Sequence, residues 1–215
     1  MDRTIKKYNL DIFDYTKTTG YFEMPYLDPV DHIPDRLIGF NYVLSSKDTS
    51  AGIHFFLDDH QFERVWSRPQ YYTDILQRFD CVFTPDFSLY TDMSVSQMIY
   101  NVYRSRLIGQ YMQNQGLQVI PTVSWADRLS YQFCFDGLPK QATVAVSTVG
   151  VIKNKDSRKL WNEGFMELLE RVEPKRVLLY GADIEYPFPA DLEVIRYPSN
   201  MRERFSKLED KRRGW

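Results

Sequence analysis

The chain has 215 residues, 43% of them hydrophobic and 26% charged, with a formal net charge of −2. That balance is globular rather than disordered, and it leaves no overall field to gather nucleic acid or an anionic membrane. No apolar run nears the roughly 20 residues that a bilayer-spanning helix needs. The start, MDRTIKKYNLDIFDY, lacks the apolar stretch of a secretory signal. Cys81 and Cys134 have no metal-ligand spacing and lie in apolar surroundings. Both read as buried thiols in a reducing compartment, with the cytoplasm as the expected location.

Residues 1–36 read as an aromatic arm packed on the domain. Pro25, Pro29 and Pro34 break regular structure there, while Tyr15, Tyr21, Phe22, Tyr26 and Leu27 ask for burial. Residues 37–199 read as one α/β domain. Leu37–Ser45 and Gly52–Leu57 are expected strands joined by a polar turn. Two short helices separated by Pro69 follow Asp58-Asp59-His60. The run DCVFT, Asp80–Thr84, has the uninterrupted apolar character of a strand buried on both faces. Ser94 and Gln97 form a capping box for a long helix whose apolar residues recur at helical spacing, and Gly116 ends it. LQVIPTVSW then resumes as a strand.

The same unit repeats. ATVAVSTVG, Ala142–Gly150, is a strand; SRKLWNEGFMELLERV is an amphipathic helix; RVLLYG, Arg176–Gly181, and LEVIRY are further strands. About seven strands emerge, mostly parallel because helices join them. Two architectures fit: an open sheet, or an incomplete, shortened (β/α) barrel, since a full eight-unit barrel usually needs about 250 residues. Residues 200–215 form a charged tail.

Ligands of parallel α/β folds bind beyond the carboxyl ends of the strands. Those ends carry Asp58-Asp59-His60, Thr84-Pro85-Asp86-Phe87-Ser88, Thr122 with Ser124, Trp125 and Asp127, Ser147-Thr148-Val149-Gly150, and Tyr180-Gly181 with Asp183. Turn chemistry and helix capping explain any one of them. Their recurrence, with a tryptophan among them, favours a ligand site. The expected site contains Asp86 and Asp127 as general base or metal ligand, Ser88, Ser124 and Tyr180 as polar lining, and Trp125 as a stacking surface. Ser147, Thr148 and Gly150 would hold an oxyanion or phosphate.

Specific templates fit less well. Asp58, Asp59, Asp86 and His60 or Asp127 offer carboxylates to a hard cation, yet adjacent strand residues face opposite ways. Asp86 with Glu173 and Lys175 outlines a nuclease site, but those two straddle Pro174 at a helix end. Ser124 and Ser147 lie outside a G-x-S-x-G elbow. Arg104, Arg106 and Arg158 supply charge for phosphate binding at STVG, without a phosphate-binding glycine motif. No metal or cofactor is assigned, and whether the chain is an enzyme is left open. The basic residues of the tail, Arg202, Arg204, Lys207, Lys211, Arg212 and Arg213, with Trp215 as an anchor, suggest an alternative function: binding host protein or nucleic acid.

The motifs PDFS, PTVSW, VSTVG and YG fall in order at strand ends between about Leu37 and Ser199. As a set they resemble an uncharacterised family of unknown function common in phages and mobile elements of Gram-positive bacteria. The resemblance implies an accessory protein of the bacterial host cytoplasm, outside core metabolism. The strand-end residues, taken by themselves, suggest that it binds, and in an enzyme version turns over, a polar or nucleotide-like ligand. The resemblance brings no activity that attaches to particular residues.

Overall fold

The computed structural model describes residues 2–199. Helix α1 (Asp2–Lys7) and the antiparallel pair β1 (Thr18–Thr19) and β2 (Met24–Pro25) form the arm. The domain proper opens with β3 (Leu37–Gly39), β4 (Gly52–His54), α2 (Glu63–Ser67), α3 (Pro69–Leu76) and β5 (Cys81–Phe83). It continues with α4 (Val95–Asn114), β6 (Val119–Ile120), β7 (Thr143–Ser147), α5 (Lys155–Val172), β8 (Arg176–Tyr180) and β9 (Glu193–Tyr197).

Every pairing from β3 onward is parallel, in two sheets ordered β3-β4-β5-β6 and β7-β8-β9. The single seven-stranded sheet expected from the sequence is therefore replaced by sheets of four and three strands. One parallel bridge, Thr122 to Ala145, joins them, with Val123 N–H donating to the Ala145 carbonyl and Ala145 N–H to the Pro121 carbonyl. Pro121 explains the break. It has no N–H to give a ladder, so β6 stops one residue earlier. Among the described residues no closed barrel forms. A second correction concerns Leu37–Ser45, where only the first three residues are strand. Phe40–Tyr42 instead makes a 3-10 turn, which carries the Phe40 ring inward to stack on Phe55 at 4.8 Å.

The sheets curl. On a flat sheet, β4 and β8 would stand four strand spacings apart, roughly 19 Å, yet the rings of His54 and Tyr180 meet at 4.4 Å. Phe56, Cys81, Phe83, Ile120, Ala145, Leu178, Tyr180 and Tyr197 fill the concave side. Residues one step along β7 and β8 face the other way. Val144, Val146, Val177 and Leu179 pack outward beneath Trp161, Phe165 and Leu168 of α5. Period-two alternation with both faces covered is why these strands are apolar throughout. A third cluster, including Phe55, Phe62, Val82, Leu107 and Ile108, seals β4 and β5 under α2, α3 and α4.

Helix α4 starts and stops as its sequence predicts. The Ser94 hydroxyl accepts from Gln97 N–H, and Gly116 takes φ +88° just past its end. Its buried face is less ordinary, because Arg106 lies fully within it. The guanidinium donates to the carbonyls of Asp136 (3.1 Å), Thr122 (3.0 Å) and Cys134 (2.9 Å). Gln110, one turn on, accepts from Asp14 N–H and donates to the Lys17 carbonyl, which fastens the arm. Within the arm Met24 and Leu27 are buried, whereas Tyr15 and Tyr21 are 78% and 93% exposed, against expectation. The Tyr21 ring meets Phe22 edge to face at 5.3 Å while the rest of it stays exposed.

Replacing Arg106 with methionine keeps the apolar stem and strips three buried carbonyls of their donor. The expected loss is about 3 kcal/mol in urea unfolding. A loss below about 1 kcal/mol would show that those carbonyls find other partners.

Candidate functional site

Loops after four consecutive parallel strands surround a cleft of about 770 Å³. Phe56, Leu57 and Asp58 follow β4; Asp86, Ser88, Tyr90 and Asp92 follow β5; Val123–Ala126 follow β6; Ser147, Val149 and Gly150 close β7. Ser157, Leu160 and Trp161 of α5 complete the wall. Of the residues expected from the sequence, Asp86, Ser88, Ser124, Trp125, Ser147 and Gly150 are brought together here. Three are not. Asp127 turns its carboxylate onto Leu129 N–H and closes a local turn. Thr148 is buried and donates to the Ala182 carbonyl at 2.7 Å. Tyr180 lies in the concave core, stacked on Phe56 at 5.0 Å. Sequence reasoning missed Leu57, Tyr90 and Asp92, and it placed Trp161 only within an amphipathic helix. The loop PDFSLYTDM was the available signal for Tyr90 and Asp92.

The walls are braced from behind. The Asp59 carboxylate accepts from both Ser88 N–H (3.2 Å) and the Ser88 hydroxyl (2.7 Å). Asn101 donates to the Ser88 carbonyl (2.7 Å) and accepts from Arg104, which also forks onto Glu63. On the far side, Trp125 Nε1–H donates to the Leu160 carbonyl (3.2 Å), and Trp161 Nε1–H to the Ser147 carbonyl (3.0 Å). Trp125 lies directly against α5 at Gly164, where any β-carbon would collide with the indole nitrogen.

Asp86 is the chemically unusual member. Burial raises its carboxyl to about 7, and the Asp59 charge adds to the rise; a Ser124 hydrogen bond and the Arg106 charge oppose it. Its Oδ1 is buried without a hydrogen-bond partner. A carboxyl that gains and loses a proton near neutrality, on the wall of a cleft, has the properties of a general acid–base.

The turn after β7 does not present the anion nest expected of it. Thr148 N–H is given to the Tyr180 carbonyl, Val149 N–H to Ser147 Oγ, and Val151 N–H to the Thr148 carbonyl. Arg104 and Arg106 are also committed, to Glu63 and Asn101 and to backbone carbonyls respectively. The nuclease arrangement fails on topology. Asp86 follows β5, whereas Glu173 and Lys175 precede β8, which places them at opposite ends of parallel strands. They pair there with Lys140 and Asp31. Among the described residues, the set of possible metal ligands that converges is not the Asp58–Asp59–Asp86 group. It is His32, Asp80 and Cys81, within 4.8 Å of one another at the strands' amino end. His32 Nε2 and Asp80 lie 2.7 Å apart, and burial pushes the Cys81 thiol well up from its ordinary range.

Residues 16–198 match the family described as Domain of unknown function (DUF4417). The chain belongs to that family. This DUF4417 chain is 37% identical over 208 residues to the Gene 1 protein of Mycobacterium phage L5, covering 93% of the chain and 85% of the relative. It is 39% identical over 197 residues to the Gene 1 protein of Mycobacterium phage D29, covering 90% and 73%. The family is thus uncharacterised and phage-associated, in line with the resemblance carried by its strand-end motifs. No solved structure matches. Among the described residues no helix is long and apolar enough to cross a membrane. The tail expected to bind host protein or nucleic acid, residues 200–215, lies outside the described residues.

The raised Asp86 carboxyl has a signed consequence for stability. Between about pH 4 and 7 the folded chain holds a proton that the unfolded chain has released, so this residue's contribution falls as pH rises. Asp86→Asn is expected to stabilise the protein by about 1–3 kcal/mol at about pH 8 relative to wild type, and by less at about pH 5. Denaturant unfolding at both values checks this, and a variant destabilised equally at each would contradict it.

Proposed function

We propose that this protein is a phage accessory protein of the host cytoplasm that binds a polar organic molecule in the strand-end cleft. On this reading Asp86 exchanges a proton with the bound molecule. The observation that carries the proposal is the Asp86 carboxyl, one oxygen of which is buried without a partner, on the wall of a cleft of about 770 Å³. A carboxyl held away from water costs stability unless something repays it, and such groups concentrate where proton transfer is needed.

The other lining residues take parts that suit this role. Ser124 hydrogen-bonds Asp86 and orients the carboxyl. Trp125, held by Leu160 and α5, offers a fixed aromatic surface. Ser147 carries a hydroxyl on the same wall, and Tyr90 and Leu57 close the rim. Ser88 acts through its loop, since its hydroxyl is already given to Asp59. In the enzyme version Asp86 is the general base when ionised and the general acid when protonated. In the binding version it senses the protonation state of the ligand.

The test incubates full-length protein with deproteinised bacterial extract and identifies retained small molecules by mass spectrometry. Wild type is expected to retain a species that Ser147→Trp, with an indole filling the cleft, does not. Asp86→Asn is expected to keep binding but to slow any conversion by about 100-fold or more. Retention unchanged by Ser147→Trp, with folding intact by circular dichroism, would sink the proposal.

A further inference from the structure

The formally charged side chains that line the cleft share one sign. Asp58, Asp86 and Asp92 line it, and among the described residues the lining contains no lysine, arginine or histidine. Asp59 stands behind Ser88 and presses on Asp86 with the same charge. Arg106 is the cation that acts on Asp86 from within the fold, but its guanidinium is turned onto three carbonyls. Helix α5 adds little positive potential at its start. Asn154 already accepts from the N–H groups of Asp156 and Ser157, and Asp156 occupies the first turn.

We infer, on the reading that the cleft holds a ligand, that the ligand is an organic cation or a neutral polar molecule with a flat apolar part. Phosphorylated and carboxylate-bearing molecules are excluded. An incoming phosphate would shed its hydration among three carboxylates, with Arg104, Arg106 and the Thr148 and Val149 amides committed elsewhere. An ammonium or amidinium group meets the opposite situation, with carboxylates at the rim and base of the cleft. Trp125 and Tyr90 add aromatic faces whose quadrupoles attract a cation. Phe56, Leu57 and Leu160 supply surface for an apolar ring, and Ser124 and Ser147 supply hydroxyls for its polar edge. The preference for a cation strengthens with pH as Asp86 becomes an anion. The nucleotide-like ligand expected from the strand-end hydroxyls is thereby narrowed to the unphosphorylated part of such a molecule.

Probe pairs that share an apolar or base portion and differ in the charge of the attached group test this on the full chain. Phenethylamine is compared with phenylacetate, and adenosine with adenosine monophosphate. Binding is followed through the indole N–H signals of Trp125 and Trp161 in nuclear magnetic resonance titrations at about pH 8. Each cationic or neutral probe is expected to bind ~10-fold or more tightly than its anionic partner, about 1.4 kcal/mol. The phenethylamine preference is expected to shrink to about 3-fold or less in Asp58→Asn/Asp92→Asn, whose two altered side chains are exposed. It is also expected to weaken from about pH 8 to about pH 6, as Asp86 takes up its proton. Equal or tighter binding of phenylacetate and adenosine monophosphate would overturn the charge selection and leave the cleft as a ligand site. Saturable shifts from none of the four probes would overturn both readings together.

Discussion

Thr122 is held on three sides. Its N–H donates to Thr84 Oγ1 and its hydroxyl to the Thr84 carbonyl, both at 2.9 Å, while its own carbonyl accepts from Arg106 at 3.0 Å. The same residue makes the bridge to Ala145 that joins the two sheets. This polar seam sits where Pro121 prevents an ordinary ladder, and it substitutes side-chain bonds for the missing backbone ones. Much else depends on it. The loops after β5 and β6 leave the seam side by side, which is what sets Ser124 beside Asp86. The bend it allows brings β4 and β8 close enough for His54 and Tyr180 to touch.

Two buried ionisable groups pull the domain in opposite directions. Burial lowers the His54 imidazole to about 3, so its contribution is complete above about pH 6.5 and is lost as pH falls toward 3. Asp86 behaves in the reverse sense, losing its contribution as pH rises toward 7. The histidine belongs to the concave core, where its Nδ1 accepts from Phe56 N–H. The neutral ring packs there against Phe56 and Tyr180, with its Nε2 buried and without a hydrogen-bond partner. The aspartate bonds Ser124 but leaves its Oδ1 buried without a partner.

Much of the fold was legible because local signals agreed with one another. Uninterrupted apolar runs marked β5, β7 and β8; the Ser94 cap and Gly116 bounded α4; and Pro174 ended α5. The cleft was legible through one topological rule, applied to residues just past each strand. That rule cannot say which neighbour faces in. Ser147 lines the cleft while Thr148, one position on, is turned beneath Ala182. Arg104 and Arg106 were misread for a different reason. Their partners come from residues 63, 101, 122, 134 and 136, and most of those pairings exist only once distant segments have packed. Pro121 carried the break between the sheets openly, but an extended proline also suits a strand end, so position alone did not decide it.

The glycine at position 164 gives the cleft a property beyond its lining. Trp125 rests on α5 only because nothing projects from the helix at that point, and the indole forms one wall of the opening. A single methyl group there would act as a wedge, driving the ring toward the opposite side and narrowing the mouth. The bore of the cleft is thus set from the helix behind it, by a residue that touches no ligand. A change at that concealed position would alter the width of the opening while every residue lining it stays the same.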